Sequence, residues 1–105
     1  MPQFILAYHG KPDVQTPEQG AELMQNWKAW QAGLGDSISG PSLPAGASKT
    51  LTPEGVIDGG GVNPLSGITI LQAESIDDAI DMAKSNPHLS GTGTIEIAEA
   101  IELDI

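Results

Sequence analysis

Two histidines, one oddly placed glutamate and an aspartate carry most of the chemistry this chain can offer. His9 closes an apolar stretch that begins at Phe4, and His88 follows Asn86-Pro87. Imidazole moves protons near neutral pH, so either ring suits general acid–base work, and either equally suits ordinary hydrogen bonding in a turn. Glu99 falls on the side of an alternating run otherwise held by Ile95, Ile97, Ile101 and Leu103. A carboxylate held on that face would be partly desolvated and its pKa raised, which would suit an acid or base. A β-bulge within Ala98-Glu99-Ala100 would instead swing it to water. Asp36 sits just past a helical stretch, where an aspartate commonly satisfies turn N–H groups. Trp27 and Trp30, three apart, either fill the core or wall an apolar pocket with an indole N–H turned to a ligand. Lys49 is an anion contact or a solvated surface lysine.

Other chemistries are excluded or unsupported. The chain has no cysteine, which removes disulfides, thiolate metal sites and a cysteine nucleophile. Gly59-Gly60-Gly61 lacks the lysine and helix that make a phosphate loop. No histidine spacing supports a metal site, and no cofactor motif is present. Fourteen acidic residues face four lysines and no arginine, for a formal net charge of -10. Nucleic acid and anionic membranes are therefore disfavoured as partners, and the bidentate clamp for carboxylates is missing. No stretch approaches the length of a membrane helix, and the start has no basic leader. A cytoplasmic protein is expected.

The elements that must position these residues follow from pattern. At 105 residues the chain fits a single domain, 1–105. Residues 3–9 alternate with apolar groups on both sides, as a central strand does: Phe4, Leu6 and Tyr8 against Ile5, Ala7 and His9. Gly10, Pro12 and Asp13 break it. Thr16, Pro17 and Gln19 form a capping box that opens a helix over 17–33. Leu23, Trp27, Trp30 and Leu34 are its apolar stripe. A short strand is expected in 37–43, a hairpin over 49–58 turning at Pro53-Glu54-Gly55, and another strand over 67–73. Ser75 caps a second helix, with Ile76, Ala79, Ile80 and Ala83 buried, until Asn86-Pro87 stops it. Residues 93–105 read as the last strand.

The order is βαββαβ with an extra hairpin: an α+β, ferredoxin-like antiparallel sheet with two helices on one face. The uncovered face is still apolar, and a second copy packed sheet to sheet is its simplest cover. This topology brings His9 and His88 to one edge of the sheet and sends Asp36 to the opposite edge.

Val56-Ile57-Asp58-Gly59-Gly60-Gly61, Asn63-Pro64-Leu65-Ser66-Gly67, Glu74-Ser75-Ile76-Asp77-Asp78-Ala79, Asn86-Pro87-His88-Leu89 and Gly93-Thr94-Ile95-Glu96-Ile97 occur in that order. Together they resemble the YCII-related, or DGPF-domain, family, from Phe4 to Leu103. The resemblance implies a dimeric α+β barrel and a homodimer. It offers Asp36 as a match to the family's acidic partner, but no histidine lies in the first helix, and the signature reads Asp58-Gly59-Gly60-Gly61. Fold analogy then suggests a proton-transfer enzyme, an isomerase or lyase acting on a small organic acid or lactone. His88 or His9 would be the base, assisted by Glu99 or Asp36. The competing reading is a non-catalytic dimer that binds a small ligand or regulates a partner.

Overall fold

The computed structural model describes residues 1–11, 14–40 and 42–103. The expected break at Pro12 and Asp13, and the last-strand positions Asp104 and Ile105, lie outside them.

The central strand, β1 (Gln3–His9), pairs on both sides. Helix α1 (Pro17–Leu34) follows, then a 3₁₀ turn at Gly35–Ser37. Next come β2 (Leu43–Pro44), the hairpin β3 (Lys49–Thr52) and β4 (Gly55–Asp58), and β5 (Leu65–Gln72). Helix α2 (Ile76–Ala83), a 3₁₀ turn at Pro87–Ser90 and β6 (Thr94–Glu99) complete the chain. The fold is α+β. Four strands form an antiparallel sheet in the order β2-β5-β1-β6, and β3-β4 form a separate two-stranded sheet.

Register explains where the core lies. Phe4, Leu6 and Tyr8 stand opposite Leu71, Thr69 and Gly67 on one side, and opposite Glu99, Ile97 and Ile95 on the other. This face meets Trp30 of α1 and Ala79 and Ala83 of α2 in one buried cluster. The Trp30 indole N–H donates to the Met82 carbonyl at 2.9 Å and ties the helices together. The reverse face carries Ile5, Ala7, Ile68, Ile70 and Ala98, which no helix among the described residues covers.

Helix α1 starts where its sequence dictates. Thr16 Oγ1 accepts the Gln19 N–H at 3.1 Å. The Gln19 side chain does not close the expected box on Thr16; it reaches one residue further and accepts from Gln15 N–H. Gly35, at φ 54°, ends the helix in the left-handed region that glycine adopts without strain.

Three expectations are corrected. The strand expected in 37–43 shrinks to a single bridge, Ile38 with Leu71, and the two residues of β2. Five positions separate Ile38 from Leu43 but only three separate their partners Leu71 and Ile68, so the register slips by two and no continuous ladder can form. The last strand stops at Glu99, leaving Ile101 and Leu103 exposed. Its partner β1 begins at Gln3, whose carbonyl accepts the Ala100 N–H, so no ladder exists beyond. In α2, Ala79 and Ala83 are buried, but Ile76 and Ile80 remain exposed. The sheet meets the narrow, alanine side of that helix.

Candidate functional site

A cavity of about 330 Å³ opens between α1 and the β5-β2 side of the sheet. Its wall from the helix is Leu23, Met24, Trp27 and Gln31; its floor is Tyr8, Ser42, Pro44 and Gly67; His88 closes one end. A Cβ on Gly67 would lie 2.9 Å from the Leu43 carbonyl, so only glycine allows β2 to pass this close. Trp27 packs edge-on against Tyr8 at 5.1 Å between centroids and against Trp30 at 5.5 Å. The cavity is thus mainly apolar and aromatic, with a few polar atoms.

His88 is held from three sides. Asn86-Pro87 starts the 3₁₀ turn, and Asn86 Oδ1 accepts the His88 N–H at 2.8 Å. Tyr8 packs on the ring at 5.3 Å. Gly93 lies against its far edge, so close that a Cβ there would fall 2.5 Å from Nε2. The residue is 4% exposed.

Its Nε2 lies 2.8 Å from the His9 carbonyl oxygen. A carbonyl only accepts, so Nε2 carries the proton, and the neutral ring presents Nδ1 as an acceptor. No described residue hydrogen-bonds to Nδ1. Nor is Nδ1 sealed away, because among the described residues no fully buried side-chain nitrogen or oxygen lacks a partner. His88 lines the cavity.

A second polar chain runs under α1. The Tyr8 hydroxyl donates to Thr69 Oγ1 at 2.7 Å, Asn86 Nδ2 approaches the Tyr8 oxygen at 3.4 Å, and Ser42 Oγ lies 2.7 Å from Thr69 Oγ1. Burial pushes the Tyr8 phenol up to about 12, and the hydrogen bonds with Thr69 and Asn86 offset only part of that. Tyr8 is therefore a fixed hydrogen-bond donor at neutral pH, not a proton carrier.

The expected site residues separate. His9 and His88 do share an edge, but through the His9 main chain. The His9 side chain sits on the reverse face of the sheet, beside the Asn63 carbonyl and Glu96 Oε1, each at 3.2 Å. Glu99 is exposed at the end of β6, opposite Phe4, and no bulge interrupts the register there. Asp36 is exposed in the 3₁₀ turn after α1, near Ile38 and its bridge to Leu71, at the end of β5 away from His9. Lys49 pairs across the hairpin with Asp58. Trp27 walls the cavity, and Trp30 is core. The cavity adds Tyr8 and Ser42 to its lining, and Thr69, Asn86 and Gly93 support those groups from behind; residue type alone did not single them out. Asn86 and Gly93 lie in quoted motifs, but Ser42 and Thr69 are 27 positions apart and carry no local signal.

Among the described residues, no cluster of three or more His, Asp or Glu could hold a metal, and no helix is long and apolar enough to cross a membrane. The sequence matches no known family model and no curated protein.

Proposed function

We propose that this chain is a small-molecule enzyme whose proton-transfer step runs in the cavity beneath α1, with His88 as the base. The carrying observation is the locked ring: Nε2–H is committed to the His9 carbonyl, and Nδ1 is left free as an acceptor. In such a step Nδ1 takes a proton from the carbon beside a substrate carbonyl, and the electron pair moves onto the carbonyl oxygen. The resulting imidazolium keeps its Nε2–H bond to His9, which strengthens when the ring is charged. Return of the proton to a different carbon completes an isomerisation; loss of a leaving group completes a lyase step.

The strand order supports a ferredoxin-like reading, with β3-β4 as an inserted arm. Together with the motif order it favours the YCII-related resemblance and a dimeric α+β barrel. The uncovered apolar face of Ile5, Ala7, Ile68 and Ile70 would then meet a second copy. A cysteine-free chain fits a cytoplasmic setting.

The test is an NMR titration of His88 against a panel of small lactones and organic acids, beside turnover of any compound that binds. A compound that moves the His88 resonances and is converted by the wild type but not by His88→Gln supports the enzyme. His88 resonances indifferent to every compound overturn it.

A second reading, a binding module without catalysis, has one observation in its favour. His88 is the cavity's one proton carrier suited to neutral pH, with Tyr8 held protonated and His9, Glu99 and Asp36 elsewhere. On that reading a compound binds and comes back unchanged.

A further inference from the structure

The hydrogen-bond chain beneath α1 has a direction, and the direction specifies a ligand. Asn86 Oδ1 is fixed by the His88 N–H, so the other end of the amide, Nδ2, points toward Tyr8. An amide NH₂ only donates. Tyr8 therefore accepts from Asn86 and gives its own proton to Thr69 Oγ1. Thr69 is fully buried, and Ser42 Oγ is its remaining partner among the described residues. A buried hydroxyl proton without an acceptor is costly, so Thr69 donates to Ser42. Ser42 then keeps its own O–H, which no described residue accepts, and Ser42 lines the cavity. Each bond in such a chain polarises the next, which makes the terminal hydroxyl a better donor.

The cavity thus presents Ser42 O–H as a donor and His88 Nδ1 as an acceptor, with the Gln31 amide on the helix wall, in otherwise mainly aromatic and aliphatic surroundings. Its lining includes no lysine and no carboxylate. A carboxylate ligand would lose its water without gaining a cation, inside a protein of net charge -10. We propose, resting on the cavity reading above, that the ligand is an uncharged, small cyclic molecule bearing a carbonyl and a hydroxyl. In the resting complex its carbonyl accepts from Ser42 and its hydroxyl donates to His88 Nδ1, with the ring against Trp27 and Tyr8; turning about the Ser42 bond brings the C–H beside the carbonyl to Nδ1 for the transfer. Of the two classes that fold analogy suggests, this selects lactone-like neutral compounds over organic acids.

A matched probe series tests the assignment on the unaltered protein near neutral pH. Para-hydroxyacetophenone carries both groups and is mostly uncharged. Para-hydroxybenzoate replaces the ketone with a carboxylate, para-methoxyacetophenone lacks the donor, and para-ethylphenol lacks the acceptor. The ketone is expected to shift the His88 ring and Trp27 indole resonances and to bind tightest. Ser42→Ala is expected to weaken the ketone about tenfold while leaving para-ethylphenol unchanged. Equal or tighter binding of para-hydroxybenzoate overturns the uncharged class and leaves the cavity reading standing. Equal binding of para-ethylphenol and the ketone overturns the Ser42 donor. Silence of all the probes at both His88 and Trp27 overturns the cavity reading and the ligand class together.

Discussion

Tyr8 is the only tyrosine in the chain, so tyrosinate absorbance follows its ionisation without assignment. In the folded protein the step is expected about 12 rather than at the ordinary 10.0, because burial disfavours the phenolate. The sign for stability follows. The unfolded chain loses its proton first, so the contribution is complete below pH 10 and is lost as pH rises through 12. Over that window the protein should lose roughly 2–3 kcal/mol. Tyr8→Phe is expected to be about 1 kcal/mol less stable at neutral pH and to lack that alkaline decline, as denaturant titrations at several pH values would show. A tyrosinate step at the ordinary value with the fold intact would mean that the ring is not buried. Gly93 is the second residue with a sharp consequence. Alanine there would press on both the His88 ring and the His88 carbonyl, and the carbonyl cannot rotate away. Gly93→Ala should cost about 1–3 kcal/mol by overpacking and displace the His88 resonances. Residue type alone did flag His88, but it flagged His9, Glu99 and Asp36 for the same reason. What separates them is direction. Strand alternation turns His9 to the reverse face, and the end of β1 leaves Glu99 without cover. Neither depends on what the residue is.

At the scale of elements, the helices were legible because their starts are local chemistry. Ser75 Oγ accepts the Asp78 N–H at 3.2 Å, as the sequence Ser75-Ile76-Asp77-Asp78 implies. Helix α2 has only eight residues, so one capping bond is a large share of its end stabilisation. Ser75→Ala should cost about 1 kcal/mol in thermal or denaturant unfolding. It should also loosen Asn86, whose N–H bonds to the Ala83 carbonyl at the end of that helix. The His88 resonances would then broaden or move, although Ser75 touches neither cavity wall. An unchanged His88 spectrum in a destabilised Ser75→Ala protein would show that the turn Pro87–Ser90 holds the ring without help from α2. The strands were less legible, because a strand's length is set by its partner. Residues 93–105 alternate well past Glu99, yet β6 ends where β1 supplies no more hydrogen-bonding groups. Likewise β2 lasts two residues, because the register against β5 slips by two positions between Ile38 and Leu43. The Ser42–Thr69 bond that this short pairing creates is long-range, and no local pattern announces it.

The whole molecule is flatter than a chain of this length needs to be. Its extents are 46 × 42 × 20 Å and its radius of gyration 15.0 Å, against about 13 Å for a compact domain of similar length. Two features account for this. The hairpin β3-β4 stands apart from the main sheet, with Leu51 80% exposed and Val56 and Ile57 also outside. The reverse face of the sheet offers Ile5, Ala7, Ile68, Ile70 and Ala98 to whatever lies beyond it. A contiguous apolar face of this kind usually marks an interface. Under the proposed dimer, two such faces pack together and bury an area on the order of 1,200–2,000 Å². Light scattering at micromolar concentration should then give twice the chain mass. Ile70→Glu would place two carboxylates in that interface and should return the monomer mass. Within one chain the same change should cost only about 1 kcal/mol, because Ile70 is half-buried and not sealed in the core. Charge supplies an independent check. Each copy carries a formal -10, so association opposes electrostatic repulsion, and added salt should tighten the dimer by screening it. A monomer mass for the unaltered protein at high salt would sink the dimer. The His88 cavity, which is built within one chain on the other face of the sheet, would stand unchanged.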